Sequence, residues 1–434
     1  MSVSHQQTET NNSTRQIPLI EPVPVDEKDP HLSKCLNRLE TFLRLFGFCQ
    51  DSCLSFSLSW ILFLVMGVAV PVFIIHFAYC SNCEKYEIKR FELEILAFQC
   101  LAAAVSLICI SHNLRKYGVR RFLFVDRCHG HMAQFREEYA NNIHGFFRLL
   151  AMWVLPCFLV KVIREVACTL LTHPDLRWQA VTVPIGLIAS WAYSTTVFLS
   201  GCALFNLVCN LQVIHFQSYG NLLERDLDVS VYIEEHIHLT HYLSKISHRF
   251  RIYLVLGLLL VTASQFMALV ETTGNRRIIT FVNAVDFAVS SLTELVGIII
   301  CLHAAAKITS RAQAIAAIVT KWNAIVTCNA NDTSQVGLTN SSGNLDPDPS
   351  LPIMYAESDL EAVDYVPMPT DTQLASYMSL YQKRQAFVSY IQSNPGGFTV
   401  FGWVMDRALI NTVFFVQMSL VLFVLGKTIT ITIK

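Results

Sequence analysis

Seven runs of mostly apolar residues recur along this chain, each close to the length of about 20 that an α-helix needs to cross the hydrocarbon core of a bilayer. They are Ser57 to Tyr79, Leu93 to Ser111, Leu149 to Leu171, Val181 to Gln212, Ile252 to Thr272, Phe281 to His303 and Ala408 to Ile433. Composition points the same way: 53% of the 434 residues are hydrophobic, 15% are charged and mean hydropathy is +0.42. A soluble domain of ordinary make-up is far more polar. No ladder of short alternating strands, the mark of a membrane barrel, interrupts the pattern. The expected fold is all-α and polytopic, with seven transmembrane helices.

Near-neutral net charge conceals an asymmetry between alternate loops. The N-terminal tail and the loops 112–148, 213–251 and 304–407 hold 22 of the basic residues, and the opposite set holds 8. Positive charge stays on the cytoplasmic side, so the N-terminus is expected inside and the C-terminus, after seven crossings, on the extracytoplasmic side. The first 30 residues lack the apolar core of a cleavable leader, which leaves the first span to act as its own signal anchor. Most of the 14 cysteines lie within spans, where a free thiol behaves as a small apolar residue. Cys80 and Cys83 in an outer loop can pair with each other or with Cys168, or stay reduced. The glycosylation patterns at Asn11, Asn12, Asn331 and Asn340 fall on the cytoplasmic side and are expected to stay unmodified.

Between the spans the chain changes character several times. Residues 1–30 read as a disordered tail. Residues 31–48 form an amphipathic cytoplasmic helix, with Leu32, Leu36, Leu39, Leu43 and Phe46 at helical spacing, laid on the membrane surface or on the bundle. Residues 57–328 carry spans one to six, several running on past the bilayer into a cytoplasmic anchor. The basic, aromatic stretch Arg115 to Arg127 rests on anionic lipid or simply fixes topology. Residues 329–369 are rich in Asn, Asp, Ser and Pro and read as a flexible linker. Residues 370–394 form a second amphipathic cytoplasmic helix, and 396–434 hold the seventh span.

Charges inside the spans mark the candidate ligand site. Lys161, Arg164 and Glu165 sit in the third span, and Asp286 and Glu294 in the sixth. A charge at mid-membrane costs roughly 2.5–3.5 kcal/mol, so these side chains must face one another or a wet cavity. Antiparallel spans put Glu294 near the depth of Lys161 and Asp286 near that of Arg164. The pairs are either structural glue or the polar floor of a pocket that Trp191 and Tyr193 complete. The last span carries Asn411, Gln417, Ser419 and Thr428 among its aliphatics, which suits a helix lining a polar axis or one buried in a bundle. Asn411, Phe414, Gln417, Val421 and Leu425 form the candidate pore stripe. His236, His238, His241 and Glu234 could bind a metal, since 234, 238 and 241 share one helical face, but solvated histidines on a cytosolic helix are the expectation, and neither metal nor other cofactor is anticipated. No catalytic or nucleotide-binding motif is present, so neither an enzyme nor a nucleic-acid partner is expected.

Seven stretches carry a family resemblance: KYGVRRFLFVD (116–126), ISHRFR (246–251), VTASQF (261–266), KITSRAQA (307–314), QKRQAFVSYI (382–391), GGFTVFGWVMDR (396–407) and LVLFVLGKT (420–428). Together they resemble the plant gustatory-receptor-like proteins, a seven-helix family catalogued as a domain of unknown function. That family is similar in predicted fold to insect odorant and gustatory receptors, which assemble as tetrameric ligand-gated cation channels with an inside N-terminus. The resemblance implies a pore lined by the final helix and an anchor built from the cytoplasmic ends of spans four to seven. In the insect final helix a Thr-Tyr pair, five hydrophobic residues and Gln-Phe follow in order. The same register here reads Ile410, Asn411, then 412–416, then Gln417 and Met418, retaining the glutamine.

The leading expectation is a small-molecule receptor in a lipid bilayer, at the plasma membrane or an endomembrane, working as a homotetrameric cation channel. A transporter would use the buried charges as its coupling site, although no internal repeat is visible. A non-conducting signalling scaffold would act through the cytoplasmic helices and linker.

Overall fold

The amphipathic leucines after the N-terminal tail form helix α1 (Pro30–Leu45), and they are covered by the bundle rather than left at a surface: Leu39 and Leu43 are fully buried. The computed structural model describes residues 30–50, 52–77, 86–123, 135–172, 179–223, 228–274, 281–333 and 380–433. The expected tail, nearly all of the expected linker, Cys80, Cys83, the Cys168 side chain and the four glycosylation side chains lie outside them.

Ser52 caps α2 (Cys53–Phe63) by accepting from the Ser55 amide. α2 continues through a π-helical stretch (Leu64–Ala69) into α3 (Val70–Phe77), and together these make the first span. α4 (Tyr86–Leu123) turns at Gly118, whose φ of 72° suits only a residue without a Cβ. α5 (Arg136–Thr172), α6 (Gln179–Leu222), α7 (Val229–Gly274) and α8 (Phe281–Thr333) follow. α9 (Leu380–Ser393) then leads to a two-residue hairpin, β1 (Thr399–Val400) with β2 (Trp403–Val404), and to α10 (Arg407–Ile433). Seven helical segments are long and apolar enough to cross a membrane, in the seven places expected.

Helices α6, α7 and α8 have 44, 46 and 53 residues. At 1.5 Å per residue the longest spans about 80 Å, against a hydrocarbon core of about 30 Å. All three overshoot at the same end of the bundle, where α9 packs against α7 and α8. Tyr232, Trp322 and Phe387 meet there edge to face and stacked, and the Tyr219 hydroxyl donates to the Tyr232 carbonyl at 2.9 Å. This corrects one expectation. His236 is only 1% exposed, set against Tyr219 and Tyr390, because α6 and α9 cover a face that a lone helix would leave in water; His238, on another face and stacked on Tyr242, is buried too.

The segment 396–434 is also more than a span. Gly396 and Gly397 have φ of 66° and 151°, and Phe401 and Gly402, at 49° and 83°, form the turn that a two-residue hairpin requires. Fully buried Phe398 packs on Phe205, its amide donates to Thr309 Oγ1 at 3.0 Å, and the Thr399 amide donates to Ser247 Oγ at 3.1 Å. These contacts fasten the entrance of α10 to both α7 and α8. Asp406 then caps the helix through the Leu409 amide at 2.8 Å.

Candidate functional site

The charges of α5 and α8 meet as a neutral, buried network. Lys161 Nζ donates to Asp286 Oδ1 and lies 3.2 Å from Glu165 Oε1, one helical turn away. Arg164 Nη1 reaches the same Glu165 oxygen at 2.6 Å. Two cations and two carboxylates offset one another, which is the condition on which such groups are tolerated away from water. Trp191 of α6 packs with Cys157 and Val289, one turn from Lys161 and from Asp286 respectively, which sets it one turn along from the network.

Two residues expected there are elsewhere. Tyr193 stacks on Phe46 and leans on Phe63, facing α1 and α2. Two residues along a helix turn a side chain by about 200°, so it cannot share a face with Trp191. Glu294 pairs with neither Lys161 nor Arg164. It lies eight residues beyond Asp286, which turns it about 80° around the helix and toward α7, where it faces Ser264. The α5–α8 register also sets Lys161 against Asp286, not against Glu294.

Glu294 belongs to a second polar group, shared by α7, α8 and α10. Gln417 of α10, 2% exposed, donates through Nε2 to Thr262 Oγ1 at 2.6 Å. Ala268, Phe287 and Val424 form one small core between the same three helices. From that core, seven residues along α8 reach Glu294, and seven residues back along antiparallel α10 reach Gln417, each about 10 Å away. Glu294 and Gln417 therefore share one depth on facing helices. Around them, Gln265 is fully buried with no partner among the described residues for either amide atom, and Glu294 Oε2, Gln417 Oε1 and Ser290 Oγ also lack one there. Toward α4 the group opens into a narrow crevice lined by Glu94, Ile95, Ser264, Phe287, Ser290 and Ser291.

The five expected pore residues divide. Gln417 and Val421 are buried on the face that α10 turns to α7 and α8, and Leu425 is half-buried beside Val424. Asn411 and Phe414 lie in the exposed arc, whose centre is Asn411, Phe415, Ser419, Leu422 and Gly426. Spacing alone selects a stripe without saying which stripe touches the rest of the chain. Thr262, Ser264 and Gln265 were visible as polar residues in the VTASQF stretch, and Ser290 and Ser291 as a pair in the sixth span. Their part in the site depends on which helices face one another, which no single-span pattern encodes.

Set beside solved structures, the fold is similar to that of the insect olfactory receptor OR5 from Machilis hrabei in complex with eugenol. The two are 11% identical, the alignment covers 91% of this chain and 98% of that one, and the TM-score is 0.53. The same receptor without eugenol in its description gives 12% identity and a TM-score of 0.49 over the same shares. At that identity the likeness is one of fold alone: this chain is a polytopic seven-helix membrane protein. No curated protein matches it by sequence. The family model described as "Protein of unknown function (DUF3537)" matches residues 34–416, and the chain belongs to that family.

Proposed function

We propose that this protein is a receptor for small organic molecules that works as a homotetrameric cation channel, with N-terminus and overshooting anchor on the cytoplasmic side. The observation that carries the reading is the two-faced character of α10. One face is fixed to its own chain through Gln417, Val421 and Val424. The other exposes Asn411 and Ser419 beside Phe415 and Leu422, and none of the described residues of the other helices covers it. Lipid offers no partner for an amide or a hydroxyl, whereas a water-filled axis between four copies does.

In this reading the crevice at Glu94, Ser264 and Ser290, whose free volume of about 10 Å³ is that of one water, widens to admit the ligand in the outer half of the bundle, and the Glu294–Gln417 layer passes its occupancy to α10. A ligand gates only if its contacts differ between the closed and open arrangements, and this layer touches all three helices that would have to shift. The Lys161–Asp286 network serves as the rigid wall behind it.

The test is imaging of the nanodisc-embedded protein followed by bilayer recording with eugenol as the first probe. A four-fold ring with Ser419 facing the axis, and a cation current altered by Ser264→Ala, is the expected result. A monomer with α10 against lipid and no current rejects the channel. Uptake of labelled ligand lost in Glu294→Gln, without current, would favour a transporter.

A further inference from the structure

We propose a zinc site joining α1 to α5 at His31, Cys35 and His144, outside the ligand and pore regions. His31 and Cys35 are four residues apart on α1, which stacks them on one face of the helix. That face packs on α5, which supplies His144. Cys35 Sγ lies 3.5 Å from His144 Nε2. The two imidazole rings are 6.2 Å apart at 49°, and one ligand atom from each of the three residues falls within 4.8 Å of the others.

Those spacings approach what the metal requires. Zn–S of about 2.3 Å and Zn–N of about 2.0–2.1 Å put the donor atoms of a tetrahedral site roughly 3.3–3.6 Å apart. The thiol and His144 already stand at that separation. His31 is exposed in the first turn of α1, and a rotation of its side chain closes the rest. The donor set excludes calcium and magnesium, which take oxygen ligands, and one thiolate with two imidazoles and an open fourth position suits zinc. Cys35 is 7% exposed while both histidines are exposed, so the ion would sit at the rim with its thiolate inward and a fourth position open to water.

Binding releases the Cys35 proton to solvent and forms one Zn–S and two Zn–N bonds without redox change. The site staples the helix that precedes the first span to the helix that carries Lys161. Among the described residues this is where such donors converge. Its sequence signal, His-x3-Cys, supplies two of the three ligands; the third, His144, arrives 109 residues after Cys35.

The test uses full-length protein purified without a histidine tag, in detergent, with Zn2+ alone as the probe. One tightly held zinc per chain is expected, reduced by about 100-fold in affinity or lost in His31→Ala and in His144→Ala and kept in His303→Ala, a change at an exposed histidine elsewhere. Cobalt in its place should show a thiolate charge-transfer band that Cys35→Ser removes. Chelation should lower the unfolding temperature of the parent protein and leave that of His144→Ala unmoved. Because His31 and His144 are exposed, these variants fold even if the Cys35 change does not. Zinc absent from the parent protein, or retained undiminished by both histidine variants, overturns the site.

Discussion

The fourth and seventh spans make an instructive pair. Helix α10 has the more apolar membrane window, yet 17% of it is buried inside the chain, against 89% for α6. Apolarity reports the solvent a helix expects, and in a bilayer the lipid satisfies an apolar face as well as a neighbouring helix does. What distinguishes the two is the distribution of small and polar groups. α6 brings Ser190, Ser194, Thr195, Ser200 and Gly201 to interhelical contacts, all buried. α10 keeps Asn411, Ser419 and Gly426 on its open side. The first is the centre of a folded chain; the second is poised for a surface outside it.

The sharpest break in that contrast would come from the interior. Replacing Lys161 with Met leaves Asp286 and Glu165 without their shared cation in a site only 5–11% exposed. Stranding a buried charge costs about 3–5 kcal/mol, so the variant should lose most of its monodisperse peak on size exclusion. Lys161→Met with Asp286→Asn should recover much of it. A single variant as stable as the parent would mean that the network is wet rather than buried.

Next is Gly201→Val on α6. A Cβ at that position stands 2.0 Å from Ser106 Oγ and 2.9 Å from the Tyr253 hydroxyl, so α4 and α7 must move apart. Overpacking of this kind costs about 1–3 kcal/mol, read as a fall of several degrees in thermal unfolding. At Gly426 on α10 an added Cβ meets nothing within 4 Å, and Gly426→Ala should be neutral. Equal effects at the two glycines would erase the distinction between core and open face.

Much of this was legible in the sequence, for stated reasons. Seven apolar runs, the overshooting helices and the burial of Leu36, Leu39 and Leu43 follow from length and periodicity, which are local properties. The ion network was half legible: charges in a span must find partners, but whether Lys161 meets Asp286 or Glu294 depends on the register of two helices 125 residues apart. The buried His236 and the docking of Phe398 were hidden for the same reason, since the covering residues, Tyr390 and Thr309, come from remote elements. The stripe of α10 was drawn about a quarter-turn from the open face because the sequence repeats equally well on either side.

A smaller effect sharpens the contrast on α10 itself. Gln417→Ala removes the bond to Thr262, worth about 1 kcal/mol, and Thr262→Val removes the same bond from the other side. The two changes together should cost little more than either alone, a non-additivity that a double-mutant cycle on thermal unfolding would read directly. Additive losses would mean that Gln417 acts through some other contact.

The smallest expected change in stability lies at Phe415, 67% exposed at the centre of the open face. Phe415→Ala removes a side chain that packs on little among the described residues beyond Phe414, so unfolding of the isolated chain should shift by less than about 0.5 kcal/mol. Its effect should appear in assembly instead. If four copies meet around this face, the truncation alters the population of the tetramer, or the current through it, while the chain itself melts as before. Two measurements on one variant, mass by light scattering and unfolding temperature, separate these outcomes. A stability loss as large as that of Gly201→Val, with oligomer unchanged, would show that α10 packs more deeply in its own chain than its exposed face indicates, and the pore would have to be sought on another helix.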